Sequence, residues 1–102
     1  MPRVFVICPG PHSYDAAARF GEVVLLFKER YNPFQTDRLL QLAKKTLLEE
    51  QQATSHDFLV LCANPVLNAI VIALWQKQFD QFNLLVYGAK ERDYTPRTIK
   101  VF

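Results

Sequence analysis

Glycine, cysteine and histidine are scarce in this chain of 102 residues, at three, two and two respectively. The glycines, Gly10, Gly21 and Gly88, lie far apart. Neither a GxGxxG nor a GxxxxGK[ST] loop exists, so phosphate binding through a standard glycine-rich motif is disfavoured. Cys8, His12, His56 and Cys62 match no zinc-ligand spacing, and neither a metal nor a cofactor is expected. Both cysteines sit in or at the end of apolar runs, where a free thiol behaves as a small buried hydrophobe, although adjacent strands could bring them close. A reactive Cys8 beside His12 is a weaker alternative. Ser13 next to His12 lacks nucleophile-elbow spacing, and no paired acid and base is evident, so no catalytic residue is expected and an enzyme is the lesser reading.

Charge of one sign is missing as well. Twelve Lys and Arg face ten Asp and Glu, a formal charge of +2, with no run of four like charges. A concentrated basic patch, the electrostatic footprint of a nucleic-acid binder, is therefore absent. A modest tract from Lys90 to Lys100 leaves one secondary alternative, contact through Arg92, Tyr94, Arg97 and Lys100. Long hydrophobic runs are also lacking. The longest, Pro65 to Trp75, falls about nine residues short of a membrane span and contains Asn68. The start, Met1 to Ile7, enters a strand-like run without the apolar stretch of an export signal, so the expectation is a reduced cytoplasmic protein.

Hydrophobic residues make up 50% of the chain and aromatic residues 13%, which is far from the signature of disorder. The length gives one domain, residues 1–102. A chain of this size buries only about 65% of its unfolded surface, so a surplus of apolar residues points to burial against another copy or a partner.

The runs Val4–Cys8, Val23–Phe27 and Phe58–Cys62 are continuous rather than alternating, as in strands covered on both faces. Leu84–Tyr87 gives a fourth strand. Tyr94–Val101 gives an antiparallel edge strand, because Pro96 is excluded from a central position. Asp15–Phe20 reads as a short helical turn closed by Gly21. Thr36 is the expected N-cap of an amphipathic helix carrying Leu39, Leu40, Ala43, Leu47 and Leu48. Asn64 caps a second helix, roughly Pro65 to Phe79, with Pro65 at its first position. The order predicts a small Rossmann-like α/β fold: a mostly parallel sheet of about five strands, two main helices and a C-terminal antiparallel edge strand.

The second helix is apolar from Val66 to Trp75 except at Asn68, which implies burial on more than one side. A homodimer interface through Val66, Ile70, Leu74 and Trp75 is the expectation. Ligands of open parallel sheets bind beyond the carboxyl ends of the strands. That rule selects His12, Ser13, Tyr14, Asn64, Asn68 and Lys90 as ligand-binding candidates. Each has a structural alternative: a solvated His12, a capping Ser13, a capping Asn64. For Asn68 it is a register-fixing amide bonded to a neighbouring loop or a symmetry mate, since an unsatisfied buried amide costs about 1–3 kcal/mol.

The segments Tyr14–Ala17 with Phe20-Gly21, Asp57–Leu61 running into Asn64–Ala69, and Asn83–Tyr87 resemble a family of small, uncharacterised bacteriophage proteins. The resemblance covers nearly the whole chain. It implies a viral origin and a host-cytoplasmic location, and it brings no activity or functional residues with it. The favoured functional expectation is a non-enzymatic, homo-oligomeric interaction protein that binds a host or viral protein. The alternative is a binder of a small, nucleotide-like ligand at the strand ends.

Overall fold

The computed structural model describes residues 2–10 and 13–100. Four of the apolar segments become neighbouring strands: β1 (Arg3–Val6), β2 (Glu22–Leu25), β3 (Phe58–Val60) and β4 (Gln81–Gly88). With β5 (Asp93–Lys100) they form one five-stranded sheet in the order β2-β1-β3-β4-β5. β1 pairs in parallel with β2 and β3, β3 pairs in parallel with β4, and β4 pairs antiparallel with β5. The mostly parallel α/β fold with a C-terminal edge strand expected from the sequence is the one observed. Pro96 lies opposite Leu85 on that edge, where its missing N–H costs no internal ladder bond.

Right-handed crossovers decide which face each connection covers. The paths from β2 to β3 and from β3 to β4 run the same way across the sheet. Their helices, α1 (Thr36–Ala43) and α2 (Pro65–Gln78), therefore share one face. The path from β1 to β2 runs back, so its 3-10 helix, Asp15–Phe20, covers the other face. The core divides accordingly. Phe5, Leu39, Ala43, Leu47, Leu59, Leu67, Val71 and Trp75 pack on the helical side. Val4, Val6, Ala17, Val60, Leu85 and Tyr94 pack on the other.

Local details depart from the sequence reading in three places. The first helix begins one residue earlier than capping by Thr36 requires: Gln35 occupies the cap position, and no side chain bonds there. The same helix widens into π-type turns over Lys44–Glu50, keeping Leu47 buried below Leu39 and Ala43. The third departure concerns α2. Its buried residues, Leu67, Ile70, Val71, Leu74 and Trp75, form a stripe at spacings of three, one, three and one, which one helix face presents to one sheet. Alanines at 69 and 73 fill the outward face. Composition reads those alanines as apolar surface in need of cover, but a methyl group exposed to water costs little. Of the four residues expected at a dimer interface, Ile70, Leu74 and Trp75 are buried within the chain, and only Val66 is half-exposed. Trp75 packs edge-on against Phe5 and Phe79 and donates its indole N–H to the Gln81 carbonyl at 3.2 Å.

Candidate functional site

The strand order reverses between β1 and β3. After β1 the chain turns towards β2, and after β3 it turns towards β4, so the loops leaving the two carboxyl ends diverge and open a crevice between them. A cleft of about 950 Å³ occupies this position. Its wall is built by the loops after β1, β2 and β3 and by the first turn of α2, with Cys8, Tyr14, Arg30, Tyr31, Cys62 and Asn64 among the lining residues.

The sequence predicts part of this lining. Asn64 caps α2 as expected, accepting from the Leu67 N–H at 3.1 Å. Its Nδ2 donates to the Tyr31 carbonyl at 3.4 Å, which joins the loop after β2 to the start of α2. Tyr14 lies on the cleft wall, and its hydroxyl accepts from the Gly10 N–H at 2.6 Å, closing the loop after β1. The Ser13 Oγ accepts from the Asp15 N–H at 3.1 Å in the turn ahead of the 3-10 helix, whose cap position is held by Tyr14. Asn68 takes its structural alternative. Its Oδ1 accepts from the Cys62 N–H at 3.0 Å and its Nδ2 donates to the Cys62 carbonyl at 2.8 Å, fastening the end of β3 to α2. His12 lies outside the described residues. Lys90 is exposed in the turn between β4 and β5, and it is not among the residues lining the cleft.

The strand-end rule also takes in the loop 28–32 after the second apolar run, but Arg30 and Tyr31 are not among the candidates chosen from it. The signal that finds them is topological. Once β2 is placed beside β1, its carboxyl end belongs to the same rim. Tyr31 is then fixed edge-on against the buried Phe27, with ring centres 5.8 Å apart.

Cys8 and Cys62 both line the wall of the cleft. Burial, and then the neighbouring Cys62, push the Cys8 thiol up to about 12, while the Asn64 N–H pulls in the opposite direction. The Cys62 S–H points to Asn68 Oδ1 at 3.2 Å. Among the described residues no group of three or more His, Cys, Asp or Glu side chains is placed to hold a metal ion.

Beyond the cleft, a smaller cavity of about 280 Å³ lies between the carboxyl ends of β3 and β4, lined by Val60, Leu61, Leu85, Val86, Tyr87 and Tyr94 among others. Tyr94 is 1% exposed, and its hydroxyl has no hydrogen-bond partner among the described residues. Burial and the nearby Tyr14 and Tyr87 raise its pKa. Tyr94 is also one of the four residues named for the alternative of nucleic-acid contact. Tyr94 is inside the core and has no ring face to offer a base. Side chains alternate along a strand, so Arg97 projects on the face opposite Tyr94 and Lys100. The four residues therefore form no common stripe.

No helix among the described residues is long and apolar enough to cross a membrane. No curated protein and no solved structure matches the chain. The sequence profile of the family described as Phage Pam3 gp32-like protein matches residues 3–101. A phage family had been expected from strand and helix-start patterns spread along the whole chain, and the match covers the same extent: the chain belongs to the phage Pam3 gp32-like family.

Proposed function

We propose that this chain is a phage-encoded, non-enzymatic binding domain of the host cytoplasm, and that its site is the strand-end cleft. The observation that carries this reading is a crevice of about 950 Å³ at the point where strand order reverses, the position at which open α/β sheets hold their ligands. A planar, nucleotide-like molecule suits the wall. Tyr14 and Tyr31 supply aromatic surface, Arg30 a cation for an anionic substituent, and Pro9, Leu61 and Leu67 apolar contact. The absence of a glycine-rich loop, together with Pro65 at the start of α2, argues against a phosphate held mainly by backbone N–H groups. A thermal-shift screen with nucleosides and nucleotides tests this. A ligand at a hundred times its dissociation constant should add about 2.7 kcal/mol of stability. Arg30→Ala should abolish the shift for the anionic compounds and spare that for the nucleosides. A screen in which no compound shifts the wild-type chain overturns the reading.

A second reading, a module that docks a host or viral protein or a second copy of itself, has its own support. A largely apolar groove of about 620 Å³ runs between α1 and α2, lined by Leu40, Val66, Ala69, Ala73 and Lys77 among others. The solution mass, and co-purification from the host, test it. A monomer at high concentration that brings down no partner defeats it.

A further inference from the structure

The β1–β3 ladder pairs Val4 with Phe58, Phe5 with Leu59 and Val6 with Val60. Just past these two neighbouring strand ends, outside the ladder, stand Cys8 and Cys62. The ladder holds neighbouring strands about 4.8 Å apart, and a disulfide needs α-carbons roughly 4.4–6.8 Å apart. Cys62 is near enough to Cys8 to push its pKa up. Each cysteine is free and partly exposed, and each lines the cleft. Adjacent strand ends, a shared cleft wall and access to solvent thus converge on one pair.

We propose that Cys8 and Cys62 form a dithiol site in the cleft wall that exchanges with low-molecular-weight disulfides and closes to an internal disulfide, so that the oxidation state of the pair sets what the cleft binds. The claim about the cleft rests on the ligand-binding reading above, whereas the thiol chemistry does not.

The order of events follows from the surroundings of the two sulfurs. Cys8 keeps its proton, because burial and the adjacent Cys62 disfavour its thiolate. We assign Cys62 the role of first nucleophile, and the two serine variants below test that order. Its thiolate attacks one sulfur of RS–SR, the Cys62 S–SR bond forms, and RS⁻ departs and takes up a proton. Cys8 then loses its proton to water. The backbone N–H of Asn64 supports the resulting thiolate. That thiolate attacks the Cys62 sulfur, the Cys62 S–SR bond breaks, and a second RS⁻ leaves. In sum, two thiols lose two electrons and two protons, and one RS–SR becomes two RSH. Closure also removes the Cys62 S–H that points to Asn68 Oδ1, altering the junction between β3 and the first turn of α2 at the edge of the cleft.

The test incubates the full chain with glutathione disulfide and reads intact mass and alkylatable thiols. The wild type should lose two hydrogen atoms and both alkylatable thiols, and dithiothreitol should restore them. Cys8→Ser should stop at the mixed glutathione disulfide on Cys62. Cys62→Ser should react roughly tenfold more slowly at Cys8. Accumulation of a doubly glutathionylated wild type, equal rates in the two variants, or two thiols that stay alkylatable throughout would each overturn the proposal. Repeating the ligand screen on the reduced and oxidised chains then reads the second half: ligands should shift one form and not the other. A disulfide that forms while no ligand binds either form refutes the binding reading and leaves the thiol chemistry standing. Ligands that bind both forms equally refute the coupling.

Discussion

At the amino-terminal ends of the strands the chain satisfies its own polar groups. The Asp57 carboxylate is 2% exposed, yet it accepts from the Arg3 N–H at 2.8 Å and the Thr54 N–H at 2.8 Å, and it lies 3.5 Å from the Arg3 guanidinium. The same guanidinium donates to the Gln51 carbonyl at 2.7 Å. Asn83, also buried, donates to the Ser55 and Asp57 carbonyls and accepts from the Thr98 hydroxyl. At the carboxyl ends the picture differs. Two thiols face a cleft, Arg30 lines its rim, and a buried tyrosine hydroxyl has no partner among the described residues. Both ends hold their loops with internal hydrogen bonds, but only the carboxyl end combines them with an open cleft and a buried hydroxyl that has no partner among the described residues. A buried polar group stabilises when partnered and costs free energy when not. The difference therefore separates an end whose buried polar groups are partnered from one where a buried hydroxyl is not.

If that division is correct, the largest loss should come from Asp57→Ala. It removes the acceptor for two N–H groups and leaves Arg3 without its carboxylate. Breaking a buried pair costs about 3–5 kcal/mol, and the partial exposure of Arg3 places this one near 3. Urea denaturation measures it, and a loss below about 1 kcal/mol would break the contrast. Gly21→Ala comes next. Gly21 precedes β2 with φ at +156°, and a Cβ there would collide with the Pro2 carbonyl. Because the obstacle is backbone, the strand end must move, and a loss of about 2 kcal/mol is expected. An unchanged midpoint in the same urea experiment would mean that the Pro2 segment is not held against β2.

At the other end the effects shrink and depend on pH. The folded chain holds the Cys8 proton up to about 12, whereas the unfolded chain releases it near the ordinary value of 9.0. Between those limits the unfolded state binds fewer protons, so stability falls as pH rises. The contribution is fully present below about pH 9 and is lost on the way to 12. Tyr94, raised by burial and its tyrosine neighbours, adds in the same direction. Melting temperatures across this alkaline range should fall less steeply for Cys8→Ser than for the wild type. Parallel curves would place the Cys8 thiol in a more open setting.

How much of this was legible in the residues differs between the same two ends. The sheet was, because Val4–Ile7, Val23–Phe27 and Phe58–Val60 are unbroken apolar runs and Pro96 fixes the edge. The start of α2 was too, because Asn64-Pro65 is a local signal whose bond to Leu67 spans three residues. The Arg3–Asp57 and Asn83–Thr98 partnerships were not: they join residues 54 and 15 positions apart, and no local pattern marks them. The outward face of α2 is apolar as its composition says, with Ala69 and Ala73 exposed and Val66 half-buried, and the chain by itself leaves that face uncovered. On the cleft, Tyr14 and Asn64 were chosen by the strand-end rule, while Arg30 and Tyr31 lie in a loop that rule covers but were passed over, and the position of β2 is what puts them on the rim.

The smallest expected effect is the most discriminating. Tyr94→Phe removes only a hydroxyl that is buried with no partner among the described residues, and it keeps the ring that packs against Tyr87 at 5.1 Å. Removing a partnered buried hydroxyl costs about 1–2 kcal/mol, whereas removing an unpartnered one is neutral or stabilising. A change within about 0.5 kcal/mol, or a small gain, is therefore expected. The comparison variant is Thr98→Val at the other end of the sheet. It strips the donor from the buried Asn83 Oδ1 and should cost about 1 kcal/mol despite the exposure of Thr98. The two substitutions each delete one hydroxyl from the same strand, β5, so propensity and edge effects largely cancel between them. If Tyr94→Phe costs as much as Thr98→Val, the Tyr94 hydroxyl is satisfied in solution, the small cavity between β3 and β4 is polar in use, and the two ends of the sheet are built alike. If it does not, the carboxyl end carries a buried hydroxyl that contributes nothing to folding, unlike the partnered amide of Asn83 at the other end.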